Sequence, residues 1–568
     1  MSRKIVAIGG GSNGRIKENG TKTPYETGPM DEEIIRLTGK SSPNYLLIAH
    51  SQLNPEWENA YFNAMKKIYG DIFGCECKTI TRADLKDNFE MAKEYVLWAD
   101  IIYEGGGDTK EMIALWKDTG FDKLLKDAYE RGTVMCGVSA GANCWFKSCS
   151  SDSLQIELKD ETAPLIEVDC LNFVDAFFTP HCDINTEHTN RLKHMKDALE
   201  GTTRRGFAIS NCCAIEIVDD KYRLIRSDGS NYGIDPYGVI GYWKSGEYFE
   251  DRIDISEEFK NLEDILPMLK AEKIVEHNSD IFSKEVKHNI TMVNAGFYNN
   301  VFDVDNKYII KICDKSTEDK FDVEAEFYEK NKESKHIPKL YKYDKSKEIV
   351  NSVYEIIEKI EGKSLYYFWY KMSESEREET IKEIANILKD IHKNVVEDKS
   401  LDWCSTIKRK NMKLYEANKD KFSDKQKVII EESFSVYDKY LENTELAFIH
   451  NDVHFDNIIK NDRGLFLIDF NEARVAAIDF EFRLLYMCRE VPWKWANLEM
   501  DPFQKAEDYN NIVTYLKKYY TKLNDIKYFD ERMYIYRILN DLYLLDKYDN
   551  NDLIESIVEY SEKLYSNK

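Results

Sequence analysis

A serine stands between two glycines in Gly137-Val138-Ser139-Ala140-Gly141, after the apolar run Thr133–Val138 and before the helix-compatible Ala142-Asn143-Cys144-Trp145-Phe146. That context is what a nucleophile elbow requires. The glycines permit a strained tight turn that lifts the hydroxyl out at the top of a sheet, over a helix N-terminus. A hydroxyl attacks only beside a base. Of His50, His181, His188 and His194, only His181 follows an apolar, strand-like run (Phe173 to Phe178) and stands in a Pro180-His181 turn. The base is therefore expected at His181. The orienting acid is expected at Asp152, with Glu157 and Asp175 as alternatives. A third segment, Tyr103-Glu104-Gly105-Gly106-Gly107-Asp108-Thr109, again runs a strand into a glycine turn, with Asp108 or Thr109 as helix N-cap. The backbone N–H groups of Gly106 and Gly107, with that of Ala140, would hold a negative oxygen. The chemistry implied is acyl transfer through an oxyanion.

A second constellation lies far downstream. His450, Asp452 and Asn457 keep the H-x-D-x-x-x-x-N spacing of a phosphotransferase loop, and Leu467-Ile468-Asp469-Phe470 follows on an apolar strand. Asp452 would take the proton of an attacking hydroxyl, while Asn457 and Asp469 would hold the Mg²⁺ that bridges the phosphates of ATP. Upstream, Lys311 in the strand Tyr308–Ile312 serves the α- and β-phosphates. Glu324 on the next helix can pair with it; Glu326 is the competitor, two positions on and about 200° around the helix, so only one of the two can face the lysine. Asn294–Asn300 would form the turn covering the phosphates. The backbone of Tyr354–Glu358, centred on Ile357, would pair with the purine.

Those residues need scaffolds. Through residue 245 short apolar strands alternate with amphipathic helices, which predicts a mainly parallel α/β sheet; after Phe207 short strands and turns predict an antiparallel end to it. Residues 246–275 read as a connector, with a helix opening at Ser256. From 276 onward strands come first, and helical periodicity then runs from 373 to 443, which predicts an α+β domain over residues 276–568. Gly9-Gly10-Gly11-Ser12-Asn13-Gly14 satisfies G-x-G-x-x-G, but Gly20, Pro24 and Gly28 prevent the helix that would meet a pyrophosphate. No dinucleotide site is expected there.

The composition, 43% hydrophobic and 32% charged, is that of folded protein, and 568 residues exceed one core. A net charge of −24 argues against nucleic-acid binding. The first apolar run, Ile5–Ile8, is far shorter than a signal-peptide core, and no stretch reaches the length of a membrane helix. A cytoplasmic protein with no membrane contact is expected, its 12 scattered cysteines reduced and not at zinc-ligand spacing.

Gly105–Thr109, Gly137–Asn143 and Pro180-His181 resemble the successive motifs of peptidase E and cyanophycinase-like serine peptidases, over about residues 1–245. The resemblance implies a fold like that of class I glutamine amidotransferases, a triad of Ser139, His181 and an acid between them, no cofactor, and small peptide substrates. Arg191 is the residue available to hold a substrate carboxylate. His392, His450–Asn457, Ile468–Asn471 and Asp479 resemble the aminoglycoside phosphotransferase and choline kinase-like small-molecule kinases, over roughly residues 285–545. There His454 and Asp456 are largely structural. Phe470-Asn471 without a following glycine, and the lack of A-P-E, set the chain apart from protein kinases. Together the two resemblances imply a peptidase domain fused to a two-lobed, protein-kinase-like domain. The phosphoryl acceptor is expected to be a small molecule bearing an amine, drawn by acids such as Glu499, Asp501, Asp541, Asp546 and Asp549. The alternative keeps one active domain, with the other as a binding or sensing module.

Overall fold

The computed structural model describes residues 2–14, 22–186, 188–229, 233–244, 246–293, 299–313, 317–393, 396, 401–442, 445–497, 499–548 and 550–566. The chain divides into two units, Met1–Ser279 with Met292–Asn300, and Asp280–Thr291 with Val301–Lys568.

In the first unit the strands β1 (Lys4–Ile8), β2 (Asn44–Leu47), β3 (Glu76–Thr79), β4 (Ile101–Glu104) and β5 (Val134–Val138) run parallel in the order β1-β5-β4-β2-β3. Strands so placed are covered by helices on both faces and read as continuous apolar runs. In β1, Ile5 and Ala7 enter one core and Val6 and Ile8 the other. The opposite edge of β1 pairs antiparallel with Cys213–Val218, which continues into Lys221–Arg226 and Lys260–Asn261. A second sheet carries Phe146–Ser151, Val174–Thr179 and Arg205–Ile209 side by side in parallel.

Residues 246–275 do not stand apart. Glu247–Arg252 extends the second sheet by pairing with Gly238–Lys244, Lys260–Asn261 closes the edge of the first, and the helix spans Pro267–His277. Proline at the first helical turn sets that start, since its missing N–H costs nothing there. The helix expected to open at Ser256 therefore begins eleven residues later.

In the second unit Tyr308–Cys313 pairs antiparallel with Tyr354–Glu358, which pairs with Leu340–Asp344. The helix Glu318–Lys330 belongs to this lobe. A helical lobe follows, with Glu374–Ile391, Trp403–Asn418, Asp424–Phe434 and Phe529–Leu545 around one large core. The hairpin Ile458–Asn461/Gly464–Leu467 and the pair Leu446–Ile449/Arg474–Ala477 frame the segment that carries Asp452. Among the described residues no helix is long and apolar enough to cross a membrane.

Candidate active sites

Strand β5 delivers Ser139 at its end with φ 56° and ψ −114°, a strained conformation for a non-glycine residue. The turn is tight because Gly137 and Gly141 face each other and the Glu104 carbonyl, leaving no room for a Cβ on either glycine. Ser139 Oγ lies 3.0 Å from His181 Nε2. His181 also takes a positive φ, 50°, in the turn after Val174–Thr179.

The other ring nitrogen identifies the orienting group, and it is not an acid. His181 Nδ1 lies 2.8 Å from Asn211 Oδ1, and Asn211 Nδ2 donates to Asp183 Oδ2 at 2.9 Å. A carboxylate only accepts, so Asp183 holds the amide with its NH₂ inward and its oxygen toward the imidazole. That oxygen accepts from Nδ1–H, which leaves Nε2 bare to receive the serine proton. Asp183 Oδ1 also accepts the Asn211 backbone N–H at 2.7 Å.

Asp152, expected in this role, instead accepts from Arg191 Nη2 at 3.0 Å. The alternatives are committed elsewhere, Glu157 to Lys110 at 2.8 Å and Asp175 to Lys147 at 2.7 Å. Arg191, the residue available for a substrate carboxylate, is thereby occupied and buried. Asn211 escapes a search for carboxylates; its only signal is a position one residue past Ser210 at the end of the strand Arg205–Ile209.

Three successive carbonyls at the end of β1 hold the site together. Ile8 accepts from the N–H of Ser139 (3.0 Å), Gly9 from His181 (3.1 Å) and Gly10 from Cys212 (2.9 Å). A Cβ on Gly10 would fall on Asn211 Oδ1 and the His181 ring. The glycine run that mimics a dinucleotide fingerprint is thus a site of close backbone approach.

Gly106 lies beside the nucleophile, where an added Cβ would sit 3.4 Å from Ser139 Cβ. Gly107, at φ 152°, lets the loop pass against the Ser51 carbonyl. Ala140 opens the short helix Ala140–Asn143, so its N–H has no intrahelical partner. The glycine loop is braced from below by buried Glu104, which accepts from the N–H of His50 (3.2 Å), Ser51 (3.1 Å) and Gly105 (3.1 Å). Burial outweighs these bonds and raises its carboxyl to about 8. His50 is structural: Trp116 Nε1 donates to its Nδ1 at 2.8 Å, and its Nε2 lies 2.8 Å from the Ile80 carbonyl. A cavity of about 560 Å³ opens beside Gly106 and Val138, lined also by Asn13, Gln52, Trp57 and Tyr61.

Burial, assisted by the charge of Arg191, lowers His181 below the usual imidazole range. The base form is the neutral ring, so the acid limb of kcat/KM for hydrolysis should lie below about 6.5. Asn211→Asp would place a charge on Nδ1 and should move that limb upward by about 1 pH unit or more. Asn211→Ala should cut kcat on the order of 10²-fold or more by freeing the tautomer. Unchanged profiles in both variants would remove Asn211 from the site.

In the second unit Lys311 Nζ reaches Glu324 at 2.6 Å, Asp469 at 3.3 Å and Glu355 at 3.7 Å. Glu326 turns outward to Lys330 at 2.7 Å. Burial alone would lower the lysine, but Glu324, Asp469 and Glu355 raise it above its usual value. Glu355, which the sequence reading did not single out, is fully buried; its burial and the charge of Glu324 push it well above the carboxylate range.

Asp452 Oδ2 accepts from Asn457 Nδ2 at 3.1 Å and lies 3.4 Å from His454 Nε2. Burial works to raise its carboxyl, but His454, His450 and Arg483 prevail and hold it at about 2. Asp469, at φ 66°, accepts from Asn471 Nδ2 at 2.9 Å. Asn457 and Asp469 offer oxygen donors of the kind Mg²⁺ takes, and the ion when bound would neutralise phosphate charge. Glu481 secures the loop: it accepts the N–H of His450 (2.8 Å) and Asn451 (2.7 Å) and lies 3.2 Å from His392 Nε2. Asp479 is structural, bound to Arg532 at 2.6 and 2.8 Å.

Two expectations change. Ile357 lies within a strand flanked by Ile309 and Leu340, and the N–H of Glu358 and Lys359 are also taken, so the first backbone N–H beyond the ladder is that of Ile360. Of the acids thought to attract an amine, Asp541 is neutralised, buried between Arg537 (2.5 Å) and Lys494 (3.2 Å), whereas Glu499 accepts, among the described residues, only from the Tyr367 hydroxyl at 2.7 Å and Asp501 is exposed. Asp549 and residues 294–298 of the phosphate-covering turn lie outside the described residues.

Known protein families match two separate parts of the chain. The model of peptidase family S51 matches residues 12–225, and that of the phosphotransferase enzyme family matches residues 289–502. The chain is 25% identical over 238 residues to the uncharacterized peptidase YgaJ of Bacillus subtilis (strain 168), covering 42% of this chain and 92% of that protein. Among solved structures it is similar to the ADP-bound aminoglycoside phosphotransferase APH(2'')-Ib, at 20% identity and a TM-score of 0.38, over 52% of this chain and 99% of that one. It is also similar to a peptidase from an acI-B1 Actinobacterium, at 17% identity and a TM-score of 0.35, over 46% and 97% of the two chains. The two families indicate serine peptidase and ATP-dependent phosphotransferase activities. The chain carries an N-terminal domain of peptidase family S51 and a C-terminal domain of the phosphotransferase enzyme family.

Proposed function

We propose that the chain is a bifunctional enzyme, with a hydrolase domain that includes residues 246–275 and cleaves small peptides or amides, and a cytoplasmic kinase domain that phosphorylates a small-molecule hydroxyl. The observation that carries this reading is that each unit brings its own reactive set into contact, Ser139 with His181 at 3.0 Å and Lys311 with Glu324 at 2.6 Å beside Asp469. In the first, Ser139 Oγ bonds to the substrate carbonyl carbon as its proton passes to His181 Nε2. The oxyanion meets the N–H groups of Gly106 and Ala140, with Gly107 shaping the loop. The C–N bond breaks, the amine leaves with the proton from Nε2, and water repeats the sequence to release the acid. The cavity beside Gly106 admits a small peptide. In the second, the acceptor oxygen bonds to the γ-phosphorus of ATP, the bond to the bridging oxygen breaks, ADP leaves, and Asp452 receives the hydroxyl proton.

Both halves are testable on the full chain. A fluorophosphonate probe should label Ser139, identified by peptide mass spectrometry. Phosphorus NMR with Mg·ATP should show ADP and a phosphomonoester only when a hydroxylated acceptor is present. An unlabelled Ser139 would remove the hydrolase reading, and ATP inert toward every hydroxylated acceptor would remove the kinase reading.

A further inference from the structure

Among the described residues of the acidic second unit, a cluster of positive charge without a carboxylate partner adjoins Asp452. Arg474 opens a strand that faces Ile449, immediately before the catalytic loop, across an antiparallel pair. Arg483 donates through Nη2 to the carbonyl of Asn451 at 2.7 Å, the residue preceding Asp452. Both guanidinium groups address one ring, Phe480, at 6.0 and 4.1 Å from its centroid. Lys410 comes from the helix Trp403–Asn418, whose Trp403 packs on the same Phe480 at 5.0 Å.

None of the three cations has a carboxylate within 4.0 Å, among the described residues. The nearby acids are engaged elsewhere: Glu472 with Lys320 at 2.5 Å, Glu481 with His392 at 3.2 Å and the loop N–H groups, and Asp452 with His454 at 3.4 Å and Asn457 at 3.1 Å. Arg474 and Arg483 are half-buried, where an unpaired charge is costly. Burial lowers Arg474 and Arg483 from their usual values, with Asp452 opposing it at Arg483; Lys410 stands exposed at the rim, and the charge of Arg474 acts to lower both Lys410 and Arg483. Lys311 is already assigned to the phosphates of ATP, so this cluster is not needed for the nucleotide.

Resting on the phosphotransferase reading, the geometry points to an acceptor that carries an oxyanion, a carboxylate or a phosphate ester, received by Lys410, Arg474 and Arg483 while its hydroxyl meets Asp452. An arginine fork suits such a planar or tetrahedral oxyanion, and among the described residues no hydrogen bond competes for the Arg474 guanidinium donors. This reverses the amine-bearing acceptor expected from composition. Net charge describes the whole surface, whereas specificity is set by the few charges left unpaired at the site.

The test uses matched probes on the full chain saturated with Mg·ADP, which fills the nucleotide site. Glycerol 3-phosphate and glycerate represent the two oxyanions, glycerol the neutral case and 2-aminoethanol the cation. Calorimetry should show at least one of the two oxyanions binding at least about tenfold more tightly than glycerol and 2-aminoethanol. That advantage should fall about tenfold in Arg474→Gln and again in Lys410→Gln, each still binding Mg·ADP as a check on folding. The difference between glycerate and glycerol 3-phosphate distinguishes carboxylate from phosphate. Tighter binding of 2-aminoethanol, or oxyanion binding that both variants retain in full, would overturn the inference. Failure of the underlying kinase reading shows separately, as a chain that does not bind Mg·ADP.

Discussion

Ser139→Ala is expected to reduce peptide or amide hydrolysis by roughly three to six powers of ten, the range seen when the nucleophile of a serine hydrolase is removed. The hydroxyl lies 3.0 Å from His181 Nε2, and no other hydroxyl contacts that nitrogen among the described residues. The fold should persist, because the change deletes one atom from a turn held by the Ser139 N–H bond to Ile8. Alanine must still adopt the positive φ, so any loss of thermal stability reports that strain and not the chemistry. Phosphoryl transfer should continue at the wild-type rate, since every group assigned to it lies in the other unit. The measurement is hydrolysis of a dipeptide amide panel beside ATP turnover in the same preparation. Hydrolysis persisting near the wild-type rate would sink the assignment.

The second large effect is at Asp452. Asp452→Ala should lower phosphoryl transfer by about 10²- to 10⁴-fold, the range of a positioned proton acceptor, with ATP binding retained. Asp452→Asn is the sharper probe because it preserves shape while removing charge. The carboxyl is held at about 2, so it is ionised above that value and becomes protonated only below it. Wild-type kcat/KM for transfer should therefore show no acid limb from Asp452 between roughly pH 4 and 8. A limb near 6 that disappears in Asp452→Asn would show a different ionisation state for this residue.

The parts of the sites that could be read from sequence are those where chemistry demands a residue type at a fixed local spacing. Ser139 and Asp452 sit in such motifs, and Ser139 meets the expected base. His181 was found because a single histidine ended an apolar run. The orienting group was misplaced for a physical reason. Asp152 is an acid at a plausible distance in sequence, but Arg191 takes its charge, and the imidazole is served by an amide whose polarity only Asp183 fixes. Nothing local distinguishes Asn211 from any asparagine in a turn. Glu324 and Glu326 could be separated by helical geometry but not ranked; packing against Tyr328 and Lys311 decides it. The central strands β1, β2, β4 and β5, unlike the edge strand β3, which is exposed or half-buried throughout and carries no such signal, were legible because burial on both faces leaves unbroken apolar runs. Residues 246–275 were not, since edge strands such as Glu247–Arg252 are largely exposed and carry little apolar signal. The acceptor's charge is hard to read for a related reason: a composition counts carboxylates without knowing which are already paired.

The end of the first strand gives the hydrolase a particular history. Its three consecutive carbonyls, at Ile8, Gly9 and Gly10, are synthesised well before their partners at Ser139, His181 and Cys212. Until Cys212 has emerged, that segment is an unfilled jig, and every contact it awaits closes a long loop with the entropy such closure costs. A nascent chain arrested before that point therefore contains the nucleophile and the base but no triad. The last of the three pieces to arrive also brings Asn211, so the imidazole is oriented only when the jig is full. Assembly of the triad in this sense waits on the third of these segments, however early the first two are made.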